Sequence, residues 1–206
     1  MDDPVPFASR DYCLLLLLLV FARGMDFLST WIATPNLVLE GNPFAKKLGW
    51  RWGLLFNLAL VSVLALWPLS AIVVATASVL VAARNFQSAW LMHSLGEEMY
   101  RQWHVERVQE TRITVYLLCL AGNTLLTAGV GAALIYFSNL RLAPFAIGMG
   151  MVAYAVAVAF YTLLAIWRIR RAAKKLAVRQ NLATNGKSLT AGPWVRVENH
   201  ASDKII

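Results

Sequence analysis

Apolar residues in this chain come in long blocks rather than in alternation. One begins at Tyr12-Cys-Leu-Leu-Leu-Leu-Leu-Leu-Val20 and lasts to Ala33. A helix needs about 20 such residues to cross the hydrocarbon of a bilayer. The blocks at 12–33, 113–139 and 143–167 each meet that length. A longer apolar stretch starts at Trp50 and is interrupted at Leu66-Trp-Pro-Leu-Ser70. Pro68 has no N–H to donate and breaks a helix there, so the stretch is read as two spans, 50–67 and 69–94. The pattern predicts an all-α polytopic membrane protein with five transmembrane helices. Residues 1–11 form an extracytoplasmic N-terminus, 12–168 the membrane domain, and 169–206 a basic, largely disordered cytoplasmic tail.

Charge fixes the expected threading. Cytoplasmic loops of membrane proteins carry an excess of Lys and Arg. Five spans with the N-terminus outside place Lys46, Lys47, Arg51, Arg101, Arg107, Arg112 and the cluster at 168–175 inside, leaving only Arg10 and Arg141 outside. Four spans would move Lys46, Lys47 and Arg51 to the outer face. Composition agrees with the membrane reading. Of the 206 residues 59% are hydrophobic and 15% charged, against about 25% charged in soluble domains, and the mean hydropathy is +0.57. In a soluble chain a net charge of +8 would point to nucleic acid. Here the basic residues flank apolar runs and no aromatic-plus-basic motif is present, so the expected partners are the bilayer and, at the basic tail, anionic lipid. The N-terminus MDDPVPFASRD lacks the basic start of a cleaved signal peptide, so the first run is a retained helix. Cys13 and Cys119 fall toward opposite faces in this topology and read as small apolar residues.

Polar residues inside the spans are the candidate chemistry. Counting inward at about 1.5 Å per residue, Asp26 lies roughly 21 Å from Tyr12. Arg23 precedes it by three positions, and Ser29 and Thr30 follow at three and four, so the four share one face. On the third span, Arg84 and Asn85 reach a similar depth, about 22–24 Å from Leu69, and His93 lies further along. Charges at such depth normally face the protein interior and pair. The expectation is an Arg23–Asp26–Arg84 cluster, either a structural ion pair or a substrate, ion or proton site. Glu40, Asn42 and Pro43, in the turn-forming Glu-Gly-Asn-Pro, sit at the same mouth, where a carboxylate and an amide would close over a polar pocket. Read without function, the same loop is a solvated turn before the interfacial anchors Trp50 and Trp52.

Asp26, Ser29 and Thr30, followed by Glu40, Asn42 and Pro43, make an Asp-x-x-[Ser/Thr]-Thr … Glu-x-Asn-Pro pattern. It resembles a family of small prokaryotic multi-span membrane proteins of unknown function, with Asn85 similar to an asparagine late in a later span. The resemblance covers about the first hundred residues. It implies a prokaryotic inner (plasma) membrane and carries no activity.

Two further patterns complete the reading. His93 and Glu97 are four apart, but no Cys/His or HExxH spacing accompanies them, so no metal and no cofactor is expected. Alanines at 128/132, 153/157 and 155/159, with nearby glycines, form small-xxx-small seams that let helices pack closely, within the chain or between copies in a homo-oligomer. The function best matching these features is a non-catalytic assembly, signalling or lipid-interacting membrane protein with a buried Arg/Asp cluster near the cytoplasmic face. A membrane-embedded enzyme acting on a lipid phosphate or other anion at the cytoplasmic leaflet is the alternative. A small transporter or channel subunit acting as an oligomer is the second.

Overall fold

The computed structural model describes the backbone of residues 3–37 and 43–190, and the side chains of residues 3–37 and 46–173. Among the described residues the protein is all-helical. Its helices are α1 (Arg10–Ala33), α2 (Pro43–Leu64), α3 (Pro68–Leu95), α4 (Glu97–Glu110), α5 (Ile113–Phe137) and α6 (Leu142–Thr190). Four are long and apolar enough to cross a membrane: α1, α3, α5 and the Leu142–Ala173 part of α6. The sequence pattern had counted a fifth in α2. Gly49, at φ +67°, breaks that helix internally. Its added Cβ would meet nothing within 4 Å, so what needs glycine is the left-handed backbone. The straight part after the break, 50–64, is about 22 Å long at 1.5 Å per residue, short of the roughly 30 Å hydrocarbon.

Local chemistry sets the helix ends. Ser9 caps α1, its Oγ accepting from the Tyr12 N–H at 3.2 Å. Pro68 occupies the first turn of α3, where a missing N–H costs nothing. Gly96, at φ +76°, separates α3 from α4, and Asn139 and Leu140 in the left-handed region turn α5 back into α6.

The core lies between α1 and α3. The inward positions of α1 are Tyr12, Leu15, Leu19, Ala22, Asp26, Ser29 and Ala33, and those of α3 are Ala71, Ala75, Ser78, Ala82, Asn85 and Ala89. Both sets repeat in steps of three and four, the spacing of a left-handed helix pair, and the small residues of α3 let α1 approach closely. The two helices run parallel. Tyr12 near the start of α1 packs in one cluster with Ala71 and Ala75 near the start of α3, while Thr34, just beyond α1, bonds to Glu97, just beyond α3. Two parallel helices joined by one connection require α2 to run back between their ends. It does so: Trp50 Nε1 donates to the Pro35 carbonyl at 2.8 Å, and the Tyr12 phenol donates to the Ser62 carbonyl at 3.2 Å. The Val5 N–H donates to the Leu66 carbonyl at 2.8 Å, tying the N-terminal segment to the α2–α3 turn.

α5 and α6 form an antiparallel pair at a glycine crossing. A Cβ on Gly131 would stand 2.8 Å from the Gly148 carbonyl oxygen, and one on Gly148 2.5 Å from that of Gly131. Gly150 meets α3 in the same way, 2.7 Å from Thr76 Cβ. Of the expected alanine seams, Ala155 is buried and Ala128 and Ala159 are half-buried, whereas Ala132, Ala153 and Ala157 are exposed within the chain. The chain divides into two compact units, Met1–Ile166 and Trp167–Ile206. In the second, the backbone stays helical to Thr190, beyond the sequence-expected end of the span at Trp167.

Candidate functional site

The polar residues of α1 form a ladder that continues through the inner faces of α2 and α3. At its upper rung, Arg23 Nη1 donates to Asp26 Oδ2 at 2.7 Å and lies 3.3 Å from Ser78 Oγ on α3. Arg23 Nε donates to Asn57 Oδ1 on α2 at 2.9 Å, and Nη2 makes a short contact with the same oxygen. Asn57 is itself steadied by its Nδ2 donating to the Gly53 carbonyl at 2.9 Å. One guanidinium therefore joins three helices. Its carbon lies 6.0 Å from the centre of the Phe27 ring, which in turn meets Trp50 edge-on at 6.1 Å. The ion pair is sheltered rather than sealed: the side chains of Arg23 and Asp26 are 26% and 16% exposed.

One turn further along, Ser29 is fully buried and its Oγ donates to the Asp26 carbonyl at 2.8 Å. Asn85 Nδ2 of α3 lies 3.4 Å from both Ser29 Oγ and Thr30 Oγ1. At the bottom rung, Glu97 accepts from Thr34 Oγ1 at 2.8 Å and from the Asn36 N–H at 2.7 Å. That clasp fastens the segment after α1 to the first residue of α4.

The structure thus brings together Arg23, Asp26, Ser29, Thr30 and Asn85 of the expected site residues. Arg84 and His93 stand apart. Arg84 is exposed and makes no ion pair among the described residues, so the expected Asp26–Arg84 pairing is absent there. Its neighbour Asn85 occupies the face toward α1 instead, and one residue along a helix turns the side chain by about 100°. His93 is also exposed, and Glu97 accepts from Thr34 and Asn36. No group of three potential metal ligands occurs among the described residues. Glu40 and Asn42 lie outside the described residues.

Asn57, Ser78 and Thr34 are the participants that sequence reasoning missed. Ser78 had a signal, since 71, 75, 78, 82 and 89 are all small and spaced by threes and fours. Asn57 had only its isolation among apolar neighbours. The cysteines stay unpaired, both free and exposed. On α4, His104 stacks on Tyr100 with ring centres 6.0 Å apart; burial lowers the His104 pKa and, with a smaller contribution from Tyr116, raises that of Tyr100. Elsewhere, a groove of about 390 Å³ lies between α1, α3 and α6, walled by residues such as Leu18, Val79, Ile147 and Met151; it is apolar and separate from the ladder. No family model, no curated protein and no solved structure matches the chain.

Proposed function

We propose that this chain is a five-span protein of a prokaryotic plasma membrane, N-terminus outside and C-terminus in the cytoplasm. It acts without catalysis as a lipid-interacting assembly or signalling component, and its polar ladder locks the first three helices in register. The observation that carries the reading is the use of the Arg23 guanidinium. An arginine kept for a substrate phosphate or carboxylate presents an open two-nitrogen edge. In Arg23 the Nε/Nη2 edge is spent on Asn57, and Nη1 on Asp26 and Ser78. A sheltered charge paired on its own helix and hydrogen-bonded to both neighbouring helices specifies how those helices fit, which is the best-attested role of such groups.

Five crossings are supported by the parallel course of α1 and α3, which needs α2 to return through the same layer. Its shortness is offset by thinning of the bilayer or by flanking anchors, and Lys46, Lys47, Arg51 and Trp52 are exposed at its beginning. The orientation rests on charge. The end of the bundle holding Arg10 and Arg141 is poor in cations, and the opposite end holds the basic loops and α4; the sequence run 168–175 adds further cations suited to anionic lipid.

Two measurements test this. In a C13S/C119S background, a cysteine at Lys46 should react with a membrane-impermeant maleimide only after permeabilisation, and one at Arg141 in intact cells. The reverse pattern would overturn the threading. For the lock, the Arg23→Gln/Asp26→Asn double variant should unfold nearer to the parent than either single variant in detergent. Single variants that both melt with the parent would remove the structural role and leave a working site in its place.

A further inference from the structure

α3 has two sides with different cover. Its small residues from Ala71 to Ala89 face α1. At about 100° per residue, Val73, Thr76, Ala83, Arg84, Gln87 and Trp90 share an arc of about 120° on the other side. α6 touches this arc near its beginning: a Cβ on Gly150 would stand 2.7 Å from Thr76 Cβ and 2.8 Å from the Val73 carbonyl oxygen. Beyond that contact the arc lies open. Ala83, Arg84 and Gln87 are exposed, and Trp90 is 69% exposed.

The open part carries a cation without a counter-charge in the chain. Arg84 makes no hydrogen bond or ion pair among the described residues, and the carboxylates of the α1–α3 ladder are engaged elsewhere, Asp26 with Arg23 and Glu97 with Thr34 and Asn36. With α3 crossing the bilayer from Leu69, Arg84 lies about 22 Å along a hydrocarbon layer of roughly 30 Å, inside its far half. A charge so placed is costly unless an opposite charge meets it. Gln87 and Trp90 follow at about 4.5 and 9 Å further along the axis. The three side chains climb from hydrocarbon toward the headgroups, supply N–H donors and include no carboxylate.

We propose that this arc of α3 binds the phosphate of an anionic phospholipid in the cytoplasmic leaflet. The Arg84 guanidinium donates to two phosphate oxygens as a fork. The Gln87 amide donates beside it, and the Trp90 ring lies at the interface, where an amphipathic ring is favoured. Charge complementarity selects the occupant. The arc has no carboxylate to receive an ammonium, so a net-negative headgroup fits and a zwitterionic one leaves its cation unmatched. A bilayer presents phosphate to any arginine that snorkels toward its surface, whereas a protein carboxylate would need another helix seated on the open arc. The inference rests on the lipid-interacting reading proposed above and gives it a place; the proposed threading decides only which leaflet supplies the lipid.

Native mass spectrometry of the full chain in neutral detergent, titrated with phosphatidylglycerol or phosphatidylcholine, tests the site. Neutral micelles carry no surface potential, so a lost adduct reports a lost contact. The parent should bind phosphatidylglycerol more tightly than phosphatidylcholine, and Arg84→Gln should weaken phosphatidylglycerol about fivefold, the effect of one cation at an anionic headgroup. Arg51→Gln removes an exposed cation at the same end of the bundle and should change binding by less than about twofold. Equal losses in the two variants would overturn the site and leave lipid interaction to diffuse charge at the basic end. A parent without preference for phosphatidylglycerol would overturn the site and the lipid-interacting reading together. A second measurement does not depend on either arginine variant. In vesicles, phosphatidylglycerol brominated near the top of its chains should quench tryptophan fluorescence more than phosphatidylcholine brominated alike, and Trp90→Phe should remove most of that difference. A difference that survives Trp90→Phe would overturn the placement on α3.

Discussion

Replacing Asn57 with Leu tests whether the charged ladder holds three helices or merely pairs two residues of α1. The two side chains are close in size, so the substitution opens no large cavity. It removes the oxygen to which Arg23 donates from Nε at 2.9 Å and from Nη2. Hydrogen bonds with an ionised partner are worth about 1.5–3 kcal/mol each. The two bonds share one oxygen and are not independent, which brings the pair to about 2–3 kcal/mol. Arg23 is 26% exposed, so water or a headgroup oxygen recovers part of the loss, and the expected destabilisation is about 2 kcal/mol. The Nδ2 bond to the Gly53 carbonyl adds little, because it stays within one turn of the same helix. Ser62→Ala is the matched control. Its hydroxyl bonds only to the Leu58 carbonyl, one turn back, and the backbone carbonyl that receives the Tyr12 phenol survives the change, so the effect should stay within about 0.5 kcal/mol. Reversible unfolding in mixed micelles of rising dodecyl sulfate content, followed by circular dichroism, resolves that difference. If Asn57→Leu unfolds with Ser62→Ala, α2 is not tied to α1 through Arg23, and the three-helix reading fails.

The glycine crossing supplies a second expectation. Gly148→Ala puts a methyl 2.5 Å from the Gly131 carbonyl oxygen and 2.8 Å from Ile135 Cγ1, so α5 and α6 must separate, at about 1–3 kcal/mol. Gly129→Ala, measured in the same micelles on the monomer, should be neutral or stabilising by up to about 1 kcal/mol; the opposite order would show that the crossing is misassigned. A third concerns His104, whose pKa burial lowers. The unfolded chain binds its proton first, near the ordinary value of about 6.5, so the contribution of neutral His104 is complete above that pH and declines as pH falls below it. The imidazole resonances of His104 should titrate below those of a peptide histidine, and His104→Gln should flatten the stability of α4 between neutral and mildly acid pH. A His104 that titrates at or above the peptide value would refute this.

Much of the fold is legible in the sequence because hydrocarbon imposes its demands one segment at a time. Length and apolarity pick out α1, α3, α5 and α6 as candidate spans, since a spanning helix satisfies its backbone internally whatever its neighbours do. Pro68 marks the α2–α3 break for an equally local reason, the missing N–H. Rise is local as well: a constant 1.5 Å per residue sets Asp26, Arg84 and Asn85 at similar distances from the starts of their apolar runs. Azimuth is not. Which side of α3 faces α1 depends on where the small residues at 71, 75, 78, 82 and 89 meet a partner. That meeting turned Asn85 and Ser78 inward and Arg84 outward. The partnership of Arg23 with Asn57 depends on α2 returning between two parallel helices, and residues 34 positions apart in sequence meet only once that topology is built. In the same way two glycines on α5, two residues apart, look alike in the sequence. Only the packing of α6 against one side makes Gly131 an internal contact and leaves Gly129 facing out, because close approach is a property of two surfaces and a sequence describes one at a time.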